Sequence, residues 1–173
     1  QLANKFEGFN KLGKQSGFLF YIPAWNTSKI DPVTGFVNLF DIKYESVDKA
    51  KSFFSKFDVI RYNVEKDVFE WKFNYDKFTK KAEGTKKEWT VCSYGNRIVT
   101  FRNTDKNSQW DNEEINLTEK IKTLFERFGV DYSLNLKEEI MHISDKEFFV
   151  ELINLFRLML QMRNSKTGTD IDY

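Results

Sequence analysis

The sequence has few of the residues that cross-link a chain or bind metals. Among its 173 residues there is one cysteine, Cys92, and one histidine, His142. A single thiol excludes an intramolecular disulfide framework. One cysteine and one histidine are also too few ligands for a tetrahedral zinc site made of nitrogen and sulfur ligands. Catalysis of the Ser/His/Asp or Cys/His type would depend on His142 alone, and we interpret that residue as a hydrogen-bonded surface histidine.

Long apolar runs and a large net charge are also missing. No run approaches the ~18 residues that span a bilayer, and we recognise no signal peptide. We therefore expect a cytoplasmic protein, or a piece of one, with no membrane partner. Because 27 Lys and Arg balance 26 Asp and Glu, there is no global field to attract nucleic acid, and any polyanion has to meet a local patch.

Charge is distributed unevenly along the chain. Residues 72–106 carry nine basic and four acidic side chains, whereas residues 131–151 carry two basic and six acidic ones. The basic stretch includes Lys80, Lys81, Lys86 and Lys87, which we call the lysine patch. Two interpretations stay open for the patch, a solvated face and a contact surface for DNA phosphates.

Two parts of the first half of the chain have strand character. Gly17 to Pro23 is a short apolar run bounded by Gly and Pro, which is typical of a buried strand. Apolar residues alternate with polar ones over residues 60–64 and 69–75, on either side of a turn at residues 65–67. This pattern predicts a β-hairpin.

A second hairpin is predicted from Trp89 to Phe101, with its reversal at residues 94–96, where Gly and Asn tolerate positive φ. Its aromatic residues suit a core face better than a platform for base stacking. The polar residues 104–112 are predicted to form an exposed loop.

Three helices are predicted from their caps and apolar spacing. Ser46 is expected to cap the first, which ends near Asp58. Thr118 is expected to cap the second, which Gly129 terminates. The third opens at Ser144 with capping-box spacing, and apolar side chains occupy nearly every face of it. Such a helix is either central to the domain or packed against protein outside this chain.

Strands and helices come in separate runs without regular βαβ alternation. At 40% apolar residues and a mean hydropathy of −0.57, the composition fits one globular domain. We therefore predict an α+β fold over residues 1–173, a single domain with short antiparallel strands and three main helices, the last one largely buried.

The end of the third helix draws attention because an arginine, Arg163, follows the apolar run and leads into small polar residues. A guanidinium matches two phosphate oxygens, and a buried helix would fix its position. The alternative is that Arg163 only complements the negative end of the helix dipole. The spacing alone does not decide between phosphate binding by Arg163 and a role at the end of the helix dipole.

Four blocks of sequence, in order, resemble a known family. They are residues 17–24, beginning Gly-Phe-Leu-Phe-Tyr-Ile-Pro; residues 27–38, containing Asp-Pro-Val-Thr-Gly-Phe; residues 93–103, beginning Ser-Tyr-Gly-Asn-Arg-Ile; and residues 160–173, containing Gln-Met-Arg-Asn-Ser. The chain resembles the Nuc-domain segment of the type V-A CRISPR effectors, the RNA-guided DNA endonucleases known as Cas-twelve-a. The resemblance implies a segment inserted between the second and third motifs of a RuvC-like nuclease, whose three metal-binding carboxylates lie outside it.

The resemblance also implies roles for residues near the end of the chain. Arg163 is expected to contact backbone phosphate beside the RuvC metals, chiefly when the target strand is cut. Asp172 is expected to orient that arginine or a nearby water, with Asn164 and Ser165 as supporting donors. We expect no cofactor in this chain and Mg²⁺ in the RuvC site of the parent protein. The implied partners are the target and non-target DNA strands, crRNA held through the parent protein, and neighbouring domains, with the parent as a monomer.

Residues 27–35 also resemble the first zinc knuckle of smaller transposon-encoded nucleases. Asp31 and Thr34 occupy the places of a Cys-x-x-Cys pair, so we expect a metal-free loop whose Lys29 contacts DNA. A simple tight turn is the alternative. For the chain as a whole, the alternative function is a non-catalytic module that gates access to the RuvC cleft.

Overall fold

The computed structural model describes residues 29–31, 34–82, 84, 86–133, 135–161 and 171–172. Within these residues the fold is α+β, with four α-helices and small antiparallel sheets. The helices are α1 (Val47–Ser55), α2 (Leu117–Arg127), α3 (Leu136–His142) and α4 (Lys146–Met159). The strands are β1 (Val59–Asn63), β2 (Val68–Asn74), β3 (Glu88–Cys92), β4 (Asn96–Asn103), β5 (Gln109–Asn116) and β6 (Ile171–Asp172). The predicted α+β class is confirmed; the predicted strand at residues 17–23 lies outside the described residues.

The main sheet has the order β1-β2-β3-β6, with every pair antiparallel. The hairpin of β1 and β2 confirms the prediction for residues 60–75. Its inward side chains are large and apolar, including Phe69, Trp71 and Phe73, which are fully buried. Cys92, at the end of β3, is only 6% exposed. The sheet therefore contributes an aromatic face to the core.

The predicted hairpin of residues 89–101 is wrong. The loop predicted for residues 104–112 is also wrong over residues 109–112, which belong to β5. β3 pairs with β2 and β6, whereas β4 pairs with β5, so the two strands belong to different sheets. Ser93 prolongs the pairing with β2, because its amide donates to the Phe69 carbonyl (3.0 Å) and its hydroxyl accepts from the Phe69 amide (2.9 Å). Only residues 104–108 connect β4 to β5. Polar residues dominate β5, so its sequence lacks the alternation that predicts a strand.

The helix predictions hold, but two caps are wrong. Ser46 caps α1 as predicted, accepting from the Lys49 amide (3.2 Å), although the helix ends at Ser55. Asn116, not Thr118, caps α2 by accepting from the Glu119 amide (3.0 Å). Thr118 is buried instead, and its hydroxyl donates to the Ser93 carbonyl (3.0 Å).

Asp145, not Ser144, caps α4, and it accepts from the amides of Glu147 (2.7 Å) and Phe148 (3.1 Å). Gly129 follows α2 with φ of 66°, as expected of a terminating glycine. The short helix α3 was not predicted, although Leu136 and Ile140 are spaced as neighbours on one helical face and are both fully buried.

The core lies between the main sheet and the helices, with α4 at its centre. Phe156 of α4 contacts a cluster of aromatic rings at centroid distances of 5.4 to 6.2 Å: Phe40, Phe53, Phe54, Phe57 and Trp71. Seven residues of α4 are buried. The prediction that the last helix is largely buried is therefore confirmed.

Candidate nucleic-acid interface

The end of α4 is held by an arginine of β4. Arg97 is fully buried, and its guanidinium donates to the carbonyls of Leu158 (3.3 Å) and Met159 (3.1 Å), the last residues of the helix. It also donates to the carbonyls of Tyr94 and Asn96, each at 3.2 Å. These bonds satisfy carbonyl groups that a helix leaves without partners at its C-terminus, and the positive charge complements the helix dipole.

Burial lowers the pKa of the Arg97 guanidinium to about 10, which leaves it protonated at neutral pH. A charged group in the interior is stable only when its donors are used, and Arg97 uses them on four backbone carbonyls. In the sequence, Arg97 belongs to the basic stretch and to one of the four matching blocks, and neither feature indicates that its side chain is buried. A lone arginine beside a Gly-Asn pair carries no sequence signal that distinguishes a buried cap from a surface charge.

The residues that the resemblance singles out lie beyond this cap. Arg163, Asn164 and Ser165 are outside the described residues. Asp172 belongs to β6, where it pairs with Thr90 in the register of β3. The chain segments on either side of residues 162–170 are thus attached to the core, through α4 and its arginine cap on one side and through the main sheet on the other.

The lysine patch divides into two halves. Lys80 and Lys81 lie in a short 3₁₀ helix, Lys80–Ala82, and both are exposed. Lys87 instead pairs with Asp76 (2.9 Å), and the ammonium of Lys86 lies 4.8 Å from the ring centroid of Trp89. Among the described residues no carboxylate pairs with Lys80 or Lys81. These two are therefore the members of the patch whose charge is best placed to meet an external anion.

The described residues of the loop at 29–37 form a tight turn, and Lys29 is exposed beside it. The Asp31 amide donates to the Phe36 carbonyl (2.8 Å), the Gly35 amide donates to the Asp31 carbonyl (2.9 Å), and the Thr34 hydroxyl donates to the Asp31 carboxylate. Gly35 has φ of 74°, a conformation that favours glycine. Asp31 and Thr34, the two positions compared with a Cys-x-x-Cys pair, therefore bond to each other across the turn.

Other candidate chemistry is sparse in the part of the chain that the structure describes. His142 is exposed at the end of α3, and its imidazole has no hydrogen-bond partner among the described residues, so the predicted hydrogen bond is not found there. Within the described ranges, no group of three or more His, Cys, Asp and Glu side chains is arranged so that it could hold a metal ion. None of the helices described here is long and apolar enough to cross a membrane.

The aromatic face of the main sheet packs against the helices, with the buried helix α4 at the centre of the core, and Arg97 caps the end of α4. These elements form a small α+β domain. Residues 30–173 match the sequence model of the Nuclease domain family, named NUC. The chain belongs to this family, and its role is related to a nuclease. The match covers the arginine cap, the lysine patch, α4 and the residues that follow it.

Proposed function

We propose that this chain is the Nuc domain of a CRISPR-associated, RNA-guided DNA endonuclease, and that it positions single-stranded DNA, above all the target strand, at an adjacent RuvC metal site. Its membership of the nuclease-domain family and the four matching sequence blocks support this proposal. The observation that carries it is the capped end of α4. Arg97 fixes the last carbonyls of a buried helix, and the Gln-Met-Arg-Asn-Ser motif with Arg163 follows that point directly in the sequence.

In this proposal the chain binds and orients the DNA. Arg163 grips a backbone phosphate with a bidentate pair of N–H groups, which sets the scissile bond in one orientation. Asn164 and Ser165 donate further hydrogen bonds, and Asp172 orients the guanidinium or a water. The activation of water and the stabilisation of the leaving oxygen would be the chemistry of Mg²⁺ ions held by carboxylates of another domain. Guide RNA and target duplex are held by other parts of the parent protein.

The proposal predicts that Arg163→Ala in the intact effector slows strand cleavage about 10- to 100-fold, since one charge-assisted hydrogen bond is worth about 1.5 to 3 kcal/mol. Guide-dependent binding of target DNA stays nearly unchanged, because base pairing with the guide provides it. Single-turnover cleavage and filter binding measure the two quantities separately.

The matched control for this experiment is Arg157→Ala, which removes an exposed arginine of α4 that lies six positions earlier in the sequence. Its cleavage rate is expected to stay close to that of the unsubstituted enzyme. Equal losses of cleavage and target binding in Arg163→Ala would argue against a positioning role. Cleavage at the normal rate would contradict the proposal altogether.

The lysine patch provides a second prediction, which separates DNA positioning from the gating alternative. Replacing Lys80 and Lys81 with glutamine makes the salt dependence of single-stranded DNA binding shallower by about 1.4 in log K against log salt, because each phosphate contact on a single strand contributes about 0.7. The control replaces Lys120 and Lys146, exposed lysines on α2 and α4, and leaves the slope unchanged. A gating module predicts the same slope for both double variants.

A further inference from the structure

Strands β4 and β5 form a two-stranded ribbon, called here the β-ribbon, in which most residues are exposed, chiefly on the face that includes Trp110. A two-stranded ribbon is at best marginally stable alone, and this one is joined to the core at its base. There Arg97 of β4 reaches the end of α4, and the Leu117 amide donates to the Gly95 carbonyl (3.4 Å). The far end of the β-ribbon, at residues 102–110, extends from that base.

The two faces of the β-ribbon differ in charge. Because side chains alternate along a strand, Arg97, Phe101, Asp111 and Glu113 share one face, and Arg102, Thr100, Trp110 and Asn112 share the other, called here the Arg102 face. The hydrogen bond from the Thr100 hydroxyl to the Asn112 amide oxygen (2.8 Å) agrees with this assignment.

Within the two strands, the only carboxylate on the Arg102 face is Glu114. It accepts a hydrogen bond from the Asn96 amide (2.6 Å) near the base of the β-ribbon. Glu114 lies four positions from Trp110 along β5, a distance of about 13 Å. The outer half of the Arg102 face is therefore basic and polar, while the carboxylates Asp111 and Glu113 are on the opposite face.

An aromatic and a cationic side chain are stacked at the end of this face. Arg102 and Trp110 are cross-strand partners, and the guanidinium carbon lies 4.6 Å from the centroid of the indole. The guanidinium also donates to the Ser108 carbonyl (3.2 Å), which fixes its position. Trp110 is nevertheless 64% exposed, whereas the tryptophans Trp71 and Trp89 are 0% and 4% exposed. No carboxylate among the described residues pairs with Arg102.

We propose that the Arg102 face of the β-ribbon is a binding surface for single-stranded DNA, in which one base stacks on Trp110 and Arg102 contacts a neighbouring phosphate. Exposed aromatic rings beside arginine are the elements that bind single strands without sequence preference. The separation of charge favours a polyanion on this face and disfavours one on the other. The proposal rests on the proposed function only in taking single-stranded DNA as the ligand, since neither Arg163 nor the lysine patch belongs to this surface.

The experiment measures binding of fluorescein-labelled oligodeoxythymidine to the 173-residue chain by fluorescence anisotropy. Trp110→Ala is expected to weaken binding about tenfold, the typical effect of removing one stacking ring. Trp110→Phe keeps a ring and recovers most of the affinity. Arg102→Gln makes the salt dependence shallower by about 0.7. The matched control is Phe101→Ala, which removes a partly exposed ring from the opposite face and leaves DNA affinity unchanged.

Thermal unfolding of each variant shows whether the fold is retained, and substitutions at exposed side chains are expected to leave the midpoint nearly constant. Equal affinity of the unsubstituted chain and Trp110→Ala overturns the proposal, as does absence of oligonucleotide binding by the unsubstituted chain. In either case the exposed ring meets protein or solvent.

The two proposals fail separately. Normal cleavage by Arg163→Ala together with weakened binding by Trp110→Ala would refute the proposed function and retain the β-ribbon surface. Slow cleavage by Arg163→Ala together with unchanged binding by Trp110→Ala would support the proposed function and refute the β-ribbon surface.

Discussion

Replacing Arg97 with methionine is expected to lower the free energy of unfolding by roughly 3 kcal/mol, since each buried acceptor left without a donor costs about 1 to 3 kcal/mol. Methionine fills much of the volume but removes the guanidinium donors of the Met159, Tyr94 and Asn96 carbonyls, while the Leu158 carbonyl keeps its bond from the Gln161 amide. Denaturation of the chain in urea measures the change, read from the midpoint at constant slope.

The control for this prediction is Arg102→Met, which removes an exposed arginine five residues along the same strand. It is expected to change stability by no more than about 0.5 kcal/mol. Hydrogen exchange adds a local readout, because the amides of Leu160 and Gln161, which donate to Phe156 and Leu158, should lose protection in the Arg97 variant. Equal stability of the two variants would show that the buried guanidinium is not a structural cap.

Phe156→Ala is expected to destabilise the domain by about 3 to 5 kcal/mol, the usual cost of removing a buried aromatic ring and leaving a cavity. Phe156 is 1% exposed and contacts rings from the segment before α1, from α1 itself and from β2. Its loss therefore loosens the contacts between α4 and the rest of the core. Guanidinium unfolding followed by near-ultraviolet circular dichroism measures both stability and aromatic packing.

Phe156→Leu fills most of the same volume and should cost clearly less than the alanine variant. Phe101→Ala, on the exposed β-ribbon, is the matched control for loss of a phenylalanine ring and should also cost less. If Phe156→Ala were no more destabilising than Phe101→Ala, the aromatic cluster would not be the centre of the core.

The elements that the sequence predicts correctly are those with strong apolar periodicity. The spacing around Phe156 predicts α4, and alternation around Trp71 predicts the hairpin of β1 and β2. Caps are harder to place, because Asn116 and Thr118 are both good capping residues and only the tertiary bond from Thr118 to Ser93 decides between them.

The strand pairing of β3, β4 and β5 could not be predicted from the sequence for a similar reason. A Gly-Asn pair after β3 is typical of a hairpin turn, but Ser93 continues the pairing with Phe69 of β2. The residues that follow leave the main sheet, and Arg97 contacts the end of α4. β5 is polar on both faces, so its identity as a strand depends on pairing with β4. Local patterns do not encode such long-range choices.

The candidate site was predicted in part. Apolar spacing predicts the buried helix that precedes Arg163, and α4 confirms that helix. The role of Arg163, which the resemblance implies, stays a prediction. The sequence gives equal weight to four lysines, whereas the structure shows Lys87 paired with Asp76 and Lys86 over Trp89. Trp110 was missed, because an isolated tryptophan in a polar segment does not reveal whether its ring is exposed.

The burial of Cys92 has a practical consequence for spectroscopy. It is the only thiol in the chain and is almost inaccessible, so maleimide reagents should react slowly with the unsubstituted domain. A cysteine introduced at an exposed position of the opposite face, such as Glu113, would then take up a dye or spin label selectively without removal of the natural thiol. Distances between labelled DNA and the β-ribbon thereby become measurable in solution.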